Sequence, residues 1–381
     1  MKFLISQTEL ANSIELASKA IQNRPSHPIL ANILVKATED DHIQVSGFDL
    51  SMSIEVKCPA NVIDLGMGGV TLPAGMFNSV ISLIQPGDLT IEIDENAKAI
   101  IKSSTGTFEI QGLDTEEYPE LPVLDGNAIK RFELPVKALL SGIKTVALCC
   151  SKEESKQILC GINIRFCPGD KSLVFASTDG HQLMVVTNSL EDFEHEFELT
   201  IPLRTLTEVV RVAEKYEDDM VQVSVDSSMI SFSIAGRKIT SRLMDGTYPA
   251  YQTLIPPSFT SEVIVDTRSL IGVLERNLNY SKEGQNIVDC KIDVTNQELS
   301  FTTEIASVGK SDESIPAQIS GEPPALLSVS AMYLLKGLKS KGFVSSSEVI
   351  IKMNGALTPV IIQPLGKSSV SHMIMPVSRR Q

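Results

Sequence analysis

The organisation of this chain is visible in Thr71-Leu-Pro-Ala-Gly-Met-Phe-Asn-Ser-Val-Ile-Ser-Leu-Ile-Gln-Pro-Gly-Asp-Leu-Thr-Ile-Glu-Ile93. This stretch reads as a strand end, a short amphipathic helix, a Pro-Gly turn and a new strand. The same order of elements returns at residues 200–225 and again at 327–352. Pro73 and Pro202 are 129 residues apart, and Val329 lies 127 residues further on. A near-constant period of this length predicts three copies of one domain.

Each copy is predicted to contain a helix, strands, a second helix and further strands. In the first copy, Leu10, Ile14, Ala17 and Ile21 fall on one helical face, and Ser6 or Thr8 is the expected cap. The first helix of the second copy is expected from about residue 136 to 149. The fold class is therefore α+β, with antiparallel sheets on one side and six short helices on the other. We expect domains at 1–127, 128–257 and 258–381.

Composition favours an ordinary globular protein of a reducing compartment. The 381 residues are 43% hydrophobic and 21% charged, and no apolar run approaches the roughly 18 residues that a membrane span needs. The N-terminus lacks the pattern of a signal peptide. The six cysteines are too sparse for a disulfide framework, and we expect all of them to be small buried hydrophobes. The predicted location is the cytoplasm.

The net charge of −14 argues, by itself, against binding to nucleic acid. That argument fails if the basic residues gather on one surface. The predicted helices of the second and third copies do carry a basic bias, whereas acids cluster at 39–41, 116–117, 191–198 and 217–219. The helix predicted within residues 71–93 carries no charge, so the segregation is partial. A solvated face remains the alternative interpretation for each single lysine.

One short string has the appearance of a catalytic site. In Thr178-Asp-Gly-His181, Asp179 and His181 could serve acid–base chemistry. Asp-Gly is also ordinary turn chemistry, and we favour the turn. The sequence contains no nucleophile elbow, no metal-ligand spacing and no phosphate-binding loop, so we expect neither an active site nor a cofactor.

The apolar tail Met373-Ile-Met-Pro-Val377 has two interpretations. It could form a final edge strand. It could also form the wall of a hydrophobic groove for partner peptides, in which methionine supplies adaptable contacts.

Taken together, these motifs resemble the bacterial DNA polymerase III beta subunit family, the sliding clamps. The resemblance rests on the three repeats and, in order, on Thr-Leu-Pro-Ala at 71–74, Thr-Asp-Gly-His at 178–181, Leu-Met-Asp-Gly-Thr-Tyr-Pro at 243–249 and Met-Pro at 375–376. It covers the whole chain. It implies a ring of two head-to-tail subunits, with helices lining a central hole through which duplex DNA passes and sheets forming the outer layer.

The resemblance also implies partners and site residues. Expected partners are double-stranded DNA, the replicative polymerase, the clamp loader and repair proteins, and the chain itself is expected to be a non-catalytic homodimer without a nucleotide. A positive hole inside an acidic exterior would reconcile DNA binding with the net charge. The expected DNA-facing residues are Arg24, Lys137, Lys144, Arg204, Arg211, Lys215, Arg276 and Lys336.

By the same resemblance, a partner-peptide groove lies between the second and third domains. Its expected residues are Leu159, Thr178, Gly180, His181, Leu183, Pro249, Leu254, Ile374, Met375, Pro376 and Val377. Three positions depart from the family's usual basic residues, namely Gln182, Thr253 and Ser378. These departures change the polar rim of the groove rather than its location.

For the dimer interface, Phe108 and Ile110 alternate on a candidate edge strand, with Leu278 as the opposing apolar residue. Two alternatives to a ring on DNA remain open at this point. One is a hydrolase or transferase that uses Asp179 and His181, and the other is a repeat scaffold that binds proteins but does not encircle DNA.

Overall fold

The computed structural model describes residues 1–22, 24–66, 68–124, 129–190, 196–281 and 286–378. The chain divides into two compact units. Unit 1 consists of Met1–Val136 and Arg204–Leu243, and unit 2 consists of Lys137–Leu203 and Met244–Gln381. The expected border at 127/128 lies outside the described residues.

Six α-helices occur in the described part of the chain, as the repeat predicts. They are α1 (Gln7–Ser18), α2 (Ala74–Leu83), α3 (Val136–Val146), α4 (Leu203–Ala213), α5 (Thr267–Ser281) and α6 (Ala331–Leu338). The second helices of the three repeats begin at Ala74, Leu203 and Ala331, directly after strands that end at Pro73, Pro202 and Ser330. The prediction of three strand–helix–strand copies is confirmed.

The strands are short, and several of them, such as Asp88–Ile93, Met220–Val225 and Ile287–Asp293, alternate buried with more accessible positions. In chain order they are β1 (Lys2–Ser6), β2 (Asn32–Thr38), β3 (His42–Phe48), β4 (Met52–Pro59), β5 (Asn61–Asp64), β6 (Gly69–Pro73), β7 (Asp88–Ile93), β8 (Lys98–Lys102), β9 (Thr107–Gln111), β10 (Lys130–Pro135), β11 (Gly161–Cys167), β12 (Ser172–Thr178), β13 (Gln182–Ser189), β14 (Phe197–Pro202), β15 (Met220–Val225), β16 (Met229–Ile234), β17 (Arg237–Arg242), β18 (Ser261–Asp266), β19 (Ile287–Asp293), β20 (Glu298–Ile305), β21 (Gly309–Pro316), β22 (Gln318–Gly321), β23 (Leu326–Ser330), β24 (Glu348–Met353), β25 (Val360–Pro364) and β26 (Val370–Ile374).

Each unit contains one long and one short sheet. Unit 1 has an eight-stranded sheet, in the order β10-β15-β16-β17-β4-β3-β2-β6, and a five-stranded sheet, β5-β1-β7-β8-β9. Unit 2 has a nine-stranded sheet, β14-β11-β12-β13-β26-β25-β24-β18-β22, and a four-stranded sheet, β21-β20-β19-β23. All of the strand pairs in the described residues are antiparallel.

Both long sheets join strands from different repeats. In unit 1, β4 of the first repeat pairs with β17 of the second, with Ile54 opposite Ile239. In unit 2, β13 of the second repeat pairs with β26 of the third, with Leu183 opposite Met373. Because main-chain hydrogen bonds run across these two junctions, neighbouring repeats share a sheet instead of meeting only through side chains.

The helices pack their apolar faces onto the sheets. Leu10, Ile14 and Ala17 of α1 are buried, as predicted, and lie in one core with Phe77 and Ile81 of α2. Burying a side chain such as Leu10 or Ile14 is worth about 1.5–3 kcal/mol, so this shared core fixes both helices. Gln7 adds a polar link, since its Nε2 donates to the Ile81 carbonyl at 2.7 Å.

The structure corrects three expectations from the sequence. Ser6 occupies the N-cap of α1 without a side-chain cap bond, and the Gln7 N–H donates instead to the Gly87 carbonyl at 2.9 Å. Helix α3 ends at Val146, and a 3-10 turn follows over Ala147–Cys149. Cys160 and Cys167 are only half-buried, whereas the other four cysteines are buried.

Candidate functional site

An apolar cluster in unit 2 forms around the junction of β13 and β26. Leu183 and Met373 face each other across this strand pair and pack with Tyr248 and Tyr251. Leu159 packs against the cluster from its margin and is half-buried. The cluster therefore combines side chains that the sequence places some 190 residues apart.

The tail of the chain completes this region and does not form an edge strand. The edge-strand interpretation is wrong because β26 lies between β13 and β25. Beyond β26 the backbone stays anchored, with Met375 N–H donating to the His181 carbonyl at 3.0 Å and Val377 N–H to the Ser328 carbonyl at 2.8 Å. Residues 375–377 are thus held beside the turn that contains His181.

The residues expected in a groove differ in their accessibility. Leu254 is 54% exposed and Met375 is 39% exposed. Gly180, His181 and Pro249 are also exposed, and Leu159, Pro376 and Val377 are half-buried. Thr178, Leu183 and Ile374 are buried. The accessible apolar atoms at this end of the cluster therefore include those of Leu254 and Met375.

Ile374 faces the other way from Met373 because side chains alternate along a strand. It lines an apolar cavity of about 30 Å³ together with Val263, Leu270 and Val360. Ile374 is therefore a core residue of the third repeat in the free chain.

The 178–182 turn uses the Asp179 carboxylate as a structural acceptor. Its Oδ1 accepts the N–H groups of His181 at 2.9 Å and Gln182 at 3.1 Å, and its Oδ2 accepts Gln182 Nε2 at 2.9 Å. Gly180 adopts φ +95°, a conformation that favours glycine. Asp179 is thus engaged by the turn and by Gln182, and the Asp-Gly string acts here as turn chemistry.

Gln182 connects this turn to a buried histidine that the sequence did not single out. Gln182 Oε1 lies 3.3 Å from Nε2 of His372, and both residues are buried. Burial lowers the pKa of His372 to about 4, although the nearby Asp179 opposes this shift. His372 is therefore neutral at physiological pH. Gly337 within α6 makes room for the His372 ring, because a Cβ there would lie 2.0 Å from His372 Nδ1. A glycine inside a helix is thus the trace that this packing leaves in the sequence.

Asp49 occupies the equivalent turn of the first repeat, 130 residues before Asp179. Its Oδ1 accepts the N–H groups of Ser51 at 3.0 Å and Met52 at 2.8 Å. Its side chain is only 2% exposed and forms an ion pair with Arg204. Burial alone would raise the pKa of Asp49, but the hydrogen bonds from Arg204, Ser51 and Met52 outweigh it and lower the pKa below the ordinary 3.8.

The eight residues expected to face DNA differ in their surroundings. Three of them have carboxylate partners: Arg204 with Asp49, Arg211 with Glu208 at 3.0 Å, and Arg276 with Glu313 at 2.7 Å. Lys336 lies 5.9 Å from the Tyr333 ring centroid. Arg24, Lys137 and Lys215 are exposed, and Lys144 is half-buried.

Two of the three expected interface residues, Phe108 and Ile110, lie on an edge strand. Strand β9 is the last strand of the five-stranded sheet, and Phe108 and Ile110 lie on the same face, opposite Ile101 and Ala99. Ile110 is buried in the core, whereas Phe108 is 37% exposed. Leu278 is half-buried on α5, which packs against β21, the edge strand of the four-stranded sheet.

Two kinds of feature are absent from the described residues. No cluster of three or more His, Cys, Asp or Glu side chains there is arranged to hold a metal ion. Among the described helices, none has the length and apolar character required to cross a membrane.

Comparison with known proteins gives consistent matches over the whole chain. Residues 1–122, 133–250 and 252–378 match the N-terminal, central and C-terminal domains of the DNA polymerase III beta subunit, respectively. The chain is 34% identical to the beta sliding clamp of Synechocystis sp., over 99% of both chains. It is 33% identical to that of Synechococcus elongatus, over the full length of both. Among solved structures, the Bacillus subtilis DNA polymerase sliding clamp is similar, with a TM-score of 0.91, 27% identity and full coverage of both chains.

Proposed function

Because this chain belongs to the family of the DNA polymerase III beta subunit, the beta sliding clamps, we propose that two copies of it close into a ring around duplex DNA. Membership makes the chain a processivity factor of a DNA polymerase and not an enzyme. DNA and a DNA polymerase are therefore its partners. In a closed ring, processivity is a topological property, since the polymerase stays near its template without any tight sequence-specific contact.

The observation that carries the ring proposal is the open edge at β9. An edge strand presents unpaired N–H and C=O groups, and Phe108 adds an apolar side chain that is partly exposed. In the proposed ring, β9 of one copy pairs with β21 of the other, and Leu278 covers Phe108. The same contact repeated head to tail closes after two copies and uses both edges.

We propose that the helices line the hole and that the sheets face outward. Arg24, Lys137 and Lys215 are exposed and Lys144 is half-buried, and we expect these four residues to contact the DNA backbone. Arg204, Arg211 and Arg276 contribute less to DNA binding because each is partly neutralised by its carboxylate partner. Contacts of this kind are independent of base sequence, as a sliding ring requires.

We further propose that the surface around Leu254 and Met375 takes short apolar peptides of partner proteins. The partner proteins include the polymerase, the clamp loader and repair proteins. These two exposed apolar side chains are near in sequence to Tyr251 and Met373 of the apolar cluster, and they provide adaptable contacts. The loader, not this chain, would use ATP to open the ring.

Two further assignments belong to this proposal. The domains extend over 1–127, 128–257 and 258–381, which keeps each repeat's two helices together. The site of action is the cytoplasm, with the replisome on the nucleoid.

Light scattering coupled to size exclusion tests the ring. We expect a mass of about twice the 41.4 kDa of one chain. The chain should then stay on closed circular DNA after loading and leave once the DNA is linearised. A monomer throughout the concentration range, or equal loss from circular and linear DNA, would refute the ring.

A matched pair of variants tests the groove. Met375→Asp places a charge in the proposed peptide surface, and Val344→Asp places one on an exposed apolar side chain that follows α6. In a fluorescence-polarisation titration with an apolar peptide from the polymerase, we expect Met375→Asp to weaken binding about tenfold or more and Val344→Asp to leave it unchanged. If the unaltered chain, Met375→Asp and Val344→Asp bound the peptide with equal affinity, the peptide would bind elsewhere on the chain.

A further inference from the structure

Unit 1 contains a basic cavity, and two of its lining residues, Arg211 and Lys215, also belong to the set expected to face DNA. Its volume is about 230 Å³, and it lies between α1, β4, α4 and β17. Small-molecule pockets usually measure about 300–1,000 Å³, so this cavity suits a ligand smaller than a typical cofactor. It is formed within one compact unit and is therefore present in a single chain.

The lining of this cavity is basic although the chain is acidic. Lys19, Arg211, Lys215 and Arg237 line it, against the single carboxylate of Glu15. The whole chain carries a net charge of −14. Such a concentration of cations in a concave site raises the local positive potential and attracts anions.

Two of the four cations are available for a ligand. Lys19 lies 3.8 Å from Glu15, and Arg211 lies 3.0 Å from Glu208. Within the described residues, Lys215 and Arg237 form no ion pair. The cavity therefore holds more positive charge than its own carboxylates neutralise.

Arg237 is held in place before any ligand arrives. Its Nη1 donates to the Ala235 carbonyl at 2.5 Å, and its guanidinium carbon lies 5.4 Å from the Tyr216 ring centroid. A cation stacked on a ring retains free N–H groups at its edge. An arginine fork fixed in this way matches the oxygens of a phosphate group better than a mobile lysine does.

We propose that this cavity binds a free polyphosphate, such as the triphosphate group of a nucleotide. Arg237 and Lys215 contact the phosphate oxygens, and Lys19 and Arg211 supply further positive charge. This binding is independent of the proposed ring.

Calorimetric titration of the full chain with inorganic triphosphate tests the site. We expect one triphosphate per chain, with an affinity that falls as salt is raised. Lys19→Gln combined with Arg237→Gln should weaken binding about tenfold or more. Lys36→Gln combined with Lys102→Gln removes the same charge from exposed lysines of unit 1 outside the cavity and should leave the affinity unchanged.

Arg237→Lys keeps the charge but loses the fork, and we expect it to give an intermediate affinity in a folded protein. Absence of triphosphate binding to the unaltered chain would overturn the proposal. So would equal weakening in the cavity variant and in the lysine control, because that result would reflect net charge alone.

A short DNA duplex, added as a competitor, separates this site from the DNA-facing surface. We expect triphosphate to stay bound in its presence, and displacement by the duplex would overturn the proposal because the cavity would then belong to the DNA-facing surface. Lys19 and Arg237 are outside the residues proposed to face DNA. The ring can therefore fail its own circular-DNA test while triphosphate binding persists, and the cavity can fail while the ring remains.

Discussion

Replacing Gly337 with alanine sets two effects of opposite sign against each other. Gly337 lies inside α6, where alanine is favoured over glycine by about 1 kcal/mol through helix propensity. The added Cβ would lie 2.0 Å from Nδ1 and 2.4 Å from Cε1 of His372. Overpacking of this kind costs about 1–3 kcal/mol or more. His372 cannot move aside cheaply because β26 is hydrogen-bonded on both edges.

We therefore expect Gly337→Ala to destabilise unit 2 by about 1–2 kcal/mol net. For a unit of this size, thermal unfolding should begin lower by about 2–4 °C for each kcal/mol. Gly272→Ala is the matched control, since Gly272 is inside α5 of the same unit and its nearest neighbour is the flexible end of Arg276, at 3.2 Å. The control should be neutral or stabilising by up to about 1 kcal/mol.

Urea and thermal unfolding of both variants, followed by circular dichroism, give the comparison. Adding His372→Ala to Gly337→Ala removes the clash, so the alanine at 337 should cost less in that background than in the native one. A Gly337→Ala protein as stable as the Gly272→Ala control would refute the reasoning. A cost that persists unchanged without the His372 ring would refute it as well.

Three further predictions concern charge and the sheet edge. His372 has a folded-state pKa of about 4, below the ordinary 6.5. Its contribution to the free energy of unfolding is therefore complete above pH 6.5 and is lost as the pH falls towards 4. Denaturation should show that the free energy of unfolding falls by about 2 kcal/mol between pH 7 and pH 5, and His372→Gln should abolish this loss. Arg204→Ala leaves the buried Asp49 carboxylate without its cation and should cost about 1–3 kcal/mol in urea unfolding at neutral pH. Because the pKa of Asp49 is lowered, that difference should vanish as the pH falls below 3.8, and a difference that persists in acid would contradict the pairing. Phe108→Asp should shift the proposed dimer to monomer in light scattering without unfolding the chain, because Phe108 is partly exposed.

The repeat was predictable because its signals are local. Pro73 and Pro202 end strands immediately before α2 and α4, and the helical periodicity begins at the next residue in both repeats. Asp49 and Asp179 likewise occupy equivalent turns, and each carboxylate accepts the N–H groups two and three residues further on. Backbone requirements of this type depend on a few adjacent residues, so the sequence displays them directly.

The partners of these side chains could not be predicted in the same way. Asp49 meets Arg204, 155 residues later, and Gln182 meets His372, 190 residues later. These distances along the chain are set by which strands pair, and local patterns do not encode that choice. For the same reason the tail could be interpreted as an edge strand, although β26 is in fact enclosed by two neighbours.

The central position of β26 has a consequence for synthesis of the chain. Its partner β13 leaves the ribosome first, and Gln182 of β13 can pair with Ile374 of β26 only after 192 further residues have been made. At about 5–20 residues per second, that interval is roughly 10–40 s. Unit 1 needs nothing after Leu243 and can complete its fold while unit 2 is still being translated. During that interval β13 presents an unpaired edge that could pair with another chain. The synthesis of β26 covers this edge and ends the exposure.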